Sequence, residues 1–201
     1  MHGLVNRSIQ CFLQDSFGPD IWKEIAARAG LPEQGFEAML VYDDRLTTAM
    51  LAAAGQRLQR EEGALLEDLG TFLVSHPSNH WLRRLLRFGG GTFIDFLHSL
   101  DQLQDRGRLA VPDLDLPALE LEETAPGRFT LWCRHARPGY GHVMVGVLRA
   151  MADDYGALVL LDHRSGVIHA GDGPGVAREE ITIDVAAAVF SEGRRFELAA
   201  G

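Results

Sequence analysis

The chain switches its hydrophobic period near residue 117, and that switch constrains the fold more than any other feature. Before it, apolar residues recur every three or four positions, the period of a helix packed on one face. After it, apolar and polar residues mostly alternate, the period of a half-buried strand. Helices followed by mostly antiparallel strands define an α+β fold, with a helical N-terminal part and a sheet carrying a packed helix.

The helical part divides at recognisable punctuation. Val5, Ile9, Phe12 and Leu13 form one apolar stripe. Gly18-Pro19-Asp20 opens a second helix, since proline suits the first helical position and an early acid suits the dipole. Trp22, Ile25, Ala26 and Ala29 form its apolar face, and Gly30 stops it. Asp43-Asp44 caps a third helix carrying Leu46, Met50, Leu51, Ala54 and Leu58. Further helices are expected over 64–74 and 81–88, the last broken by Gly89-Gly90-Gly91. One more helix, over 93–105, places Phe93, Phe96, Leu97, Leu100 and Gln104 on a single face, with Leu103 at its edge.

In the second part, 118–123 and 128–134 read as strands around a turn at Ala125-Pro126-Gly127. A helix after Pro138-Gly139 carries Tyr140, Val143, Met144, Val147, Leu148 and Met151. A hairpin is expected from 158–161 and 167–169 around Arg164-Ser165-Gly166, then a loop over 171–175 and a last strand over 181–185. One domain spans 1–190, its helical part about 1–65 and its pocket-and-sheet part about 66–190; 191–201 is a tail.

Several function classes are disfavoured. A net charge of −9 repels phosphate backbones, so nucleic acid is not an expected partner. The cluster Arg83, Arg84 and Arg87 reads as a solvated helix face. Cys11 and Cys133 are isolated, which argues against a disulfide framework and for a reducing compartment. The sequence has neither a secretory leader nor a stretch long enough to span a membrane, so a cytoplasmic location is expected. No phosphate loop, dinucleotide fingerprint, nucleophile elbow or histidine metal spacing is found, so the chain is not expected to be an enzyme.

Two polar placements stand out. Gln104 lies one turn beyond Leu100 on an otherwise apolar face, and an unsatisfied buried carboxamide costs a few kcal/mol; a half-exposed glutamine near a helix end is the plainer explanation. Along Phe129, Leu131, Cys133, His135 and Arg137, alternate residues carry an apolar strand face into a cationic rim. Such a rim suits a carboxylate or phosphate at the mouth of an apolar pocket, or is simply a strand emerging into solvent.

Met1-His2-Gly3-Leu4-Val5-Asn6, Phe17 to Trp22, Tyr42-Asp43-Asp44, Gly70 to Leu73, Phe96 to Asp101, Val111 to Pro117 and Leu131 to Gly139 occur in one colinear order. This set resembles the H-NOX (heme nitric oxide/oxygen binding) family, which includes the sensor domain of soluble guanylate cyclase. The resemblance covers about residues 1 to 190.

It implies a pocket for heme b, with iron held by a histidine three residues after the pair Leu100-Asp101. That position is Gln104, a weak, hard ligand in place of imidazole. His98 lies six residues earlier and points about 120° away around a helix. The family's propionate-binding motif falls on Cys133, His135 and Arg137, of which only Arg137 is kept. Pro117 matches the residue pressing on the porphyrin, Leu100 belongs to the same pocket helix, and Val5, Leu73 and Val143 match distal positions. With all three apolar, the family pattern favours nitric oxide or carbon monoxide over oxygen. Stand-alone members act through a separate histidine kinase or cyclic-di-GMP enzyme, so such a partner is implied.

Two main readings result. One is a heme-based gas sensor with altered iron ligation. The other is a heme-free module of the same fold, holding another hydrophobic acidic ligand or only a protein partner. An enzyme of unspecified type carries less support than either.

Overall fold

The computed structural model describes residues 1–32, 34–168 and 176–186. Its first helices are α1 (Gly3–Phe17), α2 (Pro19–Ala29), α3 (Asp44–Leu58) and α4 (Glu62–Ser75). Their ends follow the expected chemistry. Pro19 occupies the first turn of α2, Gly30 takes the left-handed conformation that ends it, and the Asp43 carboxylate accepts from the Arg45 amide at 2.8 Å to cap α3. Trp22, Ile25, Phe12, Leu13, Met50 and Leu65 bury their side chains together in a first core.

Three short helices come next: α5 (His80–Arg87), α6 (Phe93–His98) and α7 (Leu103–Ala110). The single helix expected over 93–105 is thus two helices joined by a 3₁₀ turn at Leu100–Gln102. The Ser99 hydroxyl donates to the Phe96 carbonyl at 2.8 Å and marks the break. A 3₁₀ residue advances by about 120° and an α residue by about 100°, so three of them rotate the start of α7 by roughly 60°. Phe93, Phe96, Leu97 and Leu100 remain buried, whereas Leu103 and Gln104 are half-buried.

The sheet has the order β1-β2-β4-β3, with β1 (Ala118–Ala125), β2 (Arg128–His135), β3 (Val159–Ile168) and β4 (Val176–Val185), all neighbours antiparallel. The expected hairpin around Arg164-Ser165-Gly166 is not present. Those residues continue β3, pairing with Glu180, Glu179 and Arg178 of β4. The loop expected over 171–175 and the tail 191–201 lie outside the described residues.

Helix α8 (Tyr140–Tyr155) packs on the sheet. Leu119, Phe129, Leu131, Cys133, Ile181 and Ile183 meet Met144, Leu148 and Met151 there, with Phe96, Leu97 and Leu100 closing the layer. The opposite sheet face is charged, with Arg134 bonded to Glu120 at 2.8 Å and Arg178 stacked over Trp132 at 3.7 Å.

Helices α4 and α8 join the two cores at unusually close range. A Cβ on Gly70 would sit 2.0 Å from the Val143 carbonyl oxygen, and one on Gly146 1.9 Å from that of Glu67. Only glycine permits this backbone approach. The basic cluster on α5 is not simply solvated, as expected from sequence. Arg83 and Arg87 both pair with the buried Asp154, and only Arg84 is exposed.

Candidate functional site

An apolar cavity of about 200 Å³ lies where α1, α4, α5, α7 and α8 meet the segment 111–117. Each element contributes one greasy face. Leu4 and Val5 come from α1, Leu69 and Leu73 from α4, Leu82 and Leu85 from α5, and Leu103 from α7. Val143, Met144 and Val147 come from α8, and Leu114, Leu116 and Pro117 close the last side. Four positions marked in the sequence, Val5, Leu73, Pro117 and Val143, therefore line one cavity.

Gln104 does not line it. The 3₁₀ turn brings Leu103 to the cavity wall instead. The Gln104 amide Nε2 donates to the Leu116 carbonyl at 2.8 Å. Gly107, one turn on, makes room for the same segment, since a Cβ there would meet Leu116 Cδ1 at 2.4 Å. Leu116 is thus held on α7 by a hydrogen bond and by close packing. Leu100 is fully buried in the sheet core and does not reach the cavity.

The cationic rim opens onto a different space. A polar chamber of about 530 Å³ is lined by His2, Asp44, Asp113, Asp115, His135 and Arg137, among others. Tyr140 lines both spaces. The Asp113-Leu114-Asp115-Leu116 alternation forms the wall between them, acids on one side and leucines on the other. That alternation is a signal legible in the sequence, and it marks Asp113, Leu114, Asp115 and Leu116 as site residues beyond those expected.

Within the chamber the cations are already engaged. Arg137 Nη2 lies 2.5 Å from Asp44 Oδ2, and His135 Nε2 lies 3.1 Å from Asp115 Oδ2. The Met1 amino group and Arg137 hold the Asp44 carboxyl below its usual range. Cys133 faces neither space. It is 1% exposed in the sheet core, where burial, aided by the nearby Glu179 carboxylate, pushes its thiol up to about 12.

Heme iron takes an axial donor such as imidazole, thiolate, thioether or phenolate. Among the described lining residues there is neither imidazole nor thiolate. Met144 supplies a soft thioether. The Tyr140 phenol is half-buried, and this desolvation, with nearby Asp115, raises it to about 12; its hydroxyl donates to the Asp115 carbonyl at 3.4 Å. His98 is exposed and sits edge-on to Phe129, away from the cavity. A cavity of about 200 Å³ also falls below the roughly 300–1,000 Å³ of pockets for drug-sized ligands. These residues do not fit a histidine-ligated heme. Among the described residues, no cluster of three or more His, Cys, Asp or Glu side chains is arranged for a metal ion, and no helix is long and apolar enough to cross a membrane.

Fold and cavity together define a class: an α+β domain whose helices enclose an apolar cavity and pack on a four-stranded antiparallel sheet. Residues 2–163 match the Haem-NO-binding family, and the chain belongs to that family. Over 155 residues it is 23% identical to soluble guanylate cyclase 89Db of Drosophila melanogaster, covering 77% of this chain and 23% of that protein. Over 156 residues it is 27% identical to soluble guanylate cyclase gcy-32 of Caenorhabditis elegans, covering 76% of this chain and 23% of that protein. The chain thus spans about a quarter of the length of these relatives. In fold it is similar to a solved oxygen-binding H-NOX domain related to soluble guanylate cyclases, with a TM-score of 0.71 and 16% identity, covering 97% of this chain and 100% of that one. A mutant Cs H-NOX superposes with a TM-score of 0.76 at 16% identity, covering 95% and 100%.

Proposed function

We propose that this chain is a ligand-sensing domain of the H-NOX type, acting in signalling through a partner protein. The apolar cavity is the input. The output is the pair formed by α7 and the segment 111–117, which meet at the cavity's edge. The observation that carries this reading is the placement of Leu116. It lines the cavity, and its own carbonyl is held by Gln104 of α7. A ligand that displaces Leu116 must therefore disturb α7. An equilibrium shift of this kind requires only that the ligand favour one arrangement over the other. The partner class implied by the family is a histidine kinase or a cyclic-di-GMP enzyme.

Hydrogen exchange tests the coupling. Val147→Phe fills the cavity from α8. The expected result is altered amide protection in 103–117, with the sheet unchanged. Changes confined to α8 would overturn the reading.

A second reading keeps heme as the ligand, with ligation moved away from α7. Family membership and the Met144 thioether on the wall support it. On that reading the apolar Val5, Leu73 and Val143 favour nitric oxide or carbon monoxide over oxygen. The engaged Arg137 and the missing imidazole favour the heme-free version.

A further inference from the structure

We infer that the cavity selects a small, uncharged, apolar molecule and discriminates against carboxylate-bearing ligands. This rests on the ligand-sensing reading and narrows it to a ligand class.

Ser8, Asn79 and Tyr140 bring the polar side chains to the cavity wall, and the hydroxyls of Ser8 and Tyr140 are bonded within the protein. The Ser8 hydroxyl donates to the Leu4 carbonyl at 2.8 Å, and the Tyr140 hydroxyl to the Asp115 carbonyl at 3.4 Å. Neither is aimed at a guest. The rest of the described wall is dominated by Leu, Val, Pro and Ala side chains with the Met144 thioether. A site of this kind rewards apolar surface and offers little to compensate a buried charge.

An acidic head group would have to sit in the adjoining chamber, and the charges there oppose it. Arg137 is paired with Asp44 at 2.5 Å, and Asp44 also takes the Met1 amino group at 2.5 Å. Asp113 and Asp115 line the same space, the latter bonded to His135. A ligand carboxylate would need to displace Asp44 from Arg137 and remain near three acids. Like charges at such range are destabilising. The rim that the sequence suited to a ligand carboxylate is therefore closed by the protein's own carboxylates.

Size points the same way. The cavity, at about 200 Å³, is close to the roughly 150 Å³ apolar cavity that stays dry and accepts benzene or xenon. A single ring or a short hydrocarbon fits that scale.

The test compares toluene with benzoate on the full chain at equal free concentration. Toluene at ten times its Kd is expected to raise Tm by roughly 4 °C, and to shift the methyl resonances of Leu73, Val143 and Val147. Benzoate should do neither, and Arg137→Ala should leave the toluene response unchanged. Val147→Phe, or Leu73→Phe if the first variant folds poorly by circular dichroism, should abolish it. Benzoate binding that moves the same methyls and is lost in Arg137→Ala would overturn the inference and leave the sensing reading standing. Unmoved methyls with both probes, together with unaltered exchange in 103–117 of Val147→Phe, would overturn both.

Discussion

The side-chain amide of Gln104 donates to the main-chain carbonyl of Leu116 across 2.8 Å, tying α7 to the segment that walls the cavity. The resemblance read from the sequence would put the family's iron-binding histidine at this position. Here the same helix holds protein to protein.

Gln104→Leu removes the donor and leaves the Leu116 carbonyl without it. A loss of about 1 kcal/mol is expected, the usual net value of one hydrogen bond, read as a lower urea midpoint at constant slope. Gln104→His removes the same anchor and supplies an imidazole. Because the side chain at 104 faces the Leu116 carbonyl and not the cavity, that variant from heme-supplied cells is expected to lack a Soret band, like the wild type. A Soret band gained in Gln104→His would contradict the placement of this position outside the cavity.

Gly70→Ala places a methyl 2.0 Å from the Val143 carbonyl, and Gly146→Ala places one 1.9 Å from that of Glu67. Both contacts are with backbone and cannot be relieved by a side-chain rotation. Since α4 and α8 also carry Leu69, Leu73, Val143 and Val147 of the cavity wall, separating them deforms the site. Each substitution should cost about 3 kcal/mol or more, measured by denaturant unfolding. A neutral effect would show that the helices can move apart freely.

Burial holds the Cys133 thiol protonated, up to about 12, and the side chain is 1% exposed. Thiolate is the reactive form, so the folded protein should resist alkylation there at pH 8. Cys11 is partly exposed, and burial raises its thiol as well. Mass spectrometry after iodoacetamide treatment should find Cys11 modified slowly and first, and Cys133 only on unfolding. Equal labelling rates would contradict the packing of β2 on α8.

Asp44 and Asp95 contribute to the acid limb of stability. Asp95 is held below its ordinary 3.8 by hydrogen bonds from Thr92, and Asp44 by the Met1 amino group and then Arg137. Because the folded-state values are depressed, this stabilisation is fully present above 3.8 and is lost as pH falls through the lower folded values. Both groups are largely exposed, so the effect is small and salt-sensitive. Stability profiles below pH 4 should flatten in Asp95→Asn and Asp44→Asn. An unchanged slope in both variants would remove them from the acid transition.

Much of the fold was legible because local chemistry decided it. Pro19, Gly30 and Asp43 mark helix ends by effects confined to one turn. The alternation at Leu119, Leu131 and Ile183 comes from the pleat. Other features escaped because they depended on tertiary context or on a change of period. Arg164-Ser165-Gly166 has turn composition, yet it stays in β3 because the partner residues Arg178 to Glu180 continue the ladder. An uninterrupted α period carried through Leu100–Gln102 puts Gln104 on the apolar face, and the 3₁₀ turn moves it off. A small helical irregularity was enough to exchange the roles of Gln104 and Leu103. Val5, Leu73, Pro117 and Val143 converge on one cavity, whereas Arg137 and His135 open onto its neighbour. No single-element pattern carries that division, which arises only when the 113–116 alternation is laid between α1 and α8.

The most direct measurement is the absorption spectrum of pure wild-type protein made in heme-supplied cells. With Gln104 bound to Leu116 and Arg137 bound to Asp44, protein without a Soret band is expected, even after added hemin is passed through a desalting column. A stable Soret band at one heme per chain would show that this cavity still grips the macrocycle and that the heme-free architecture is wrong.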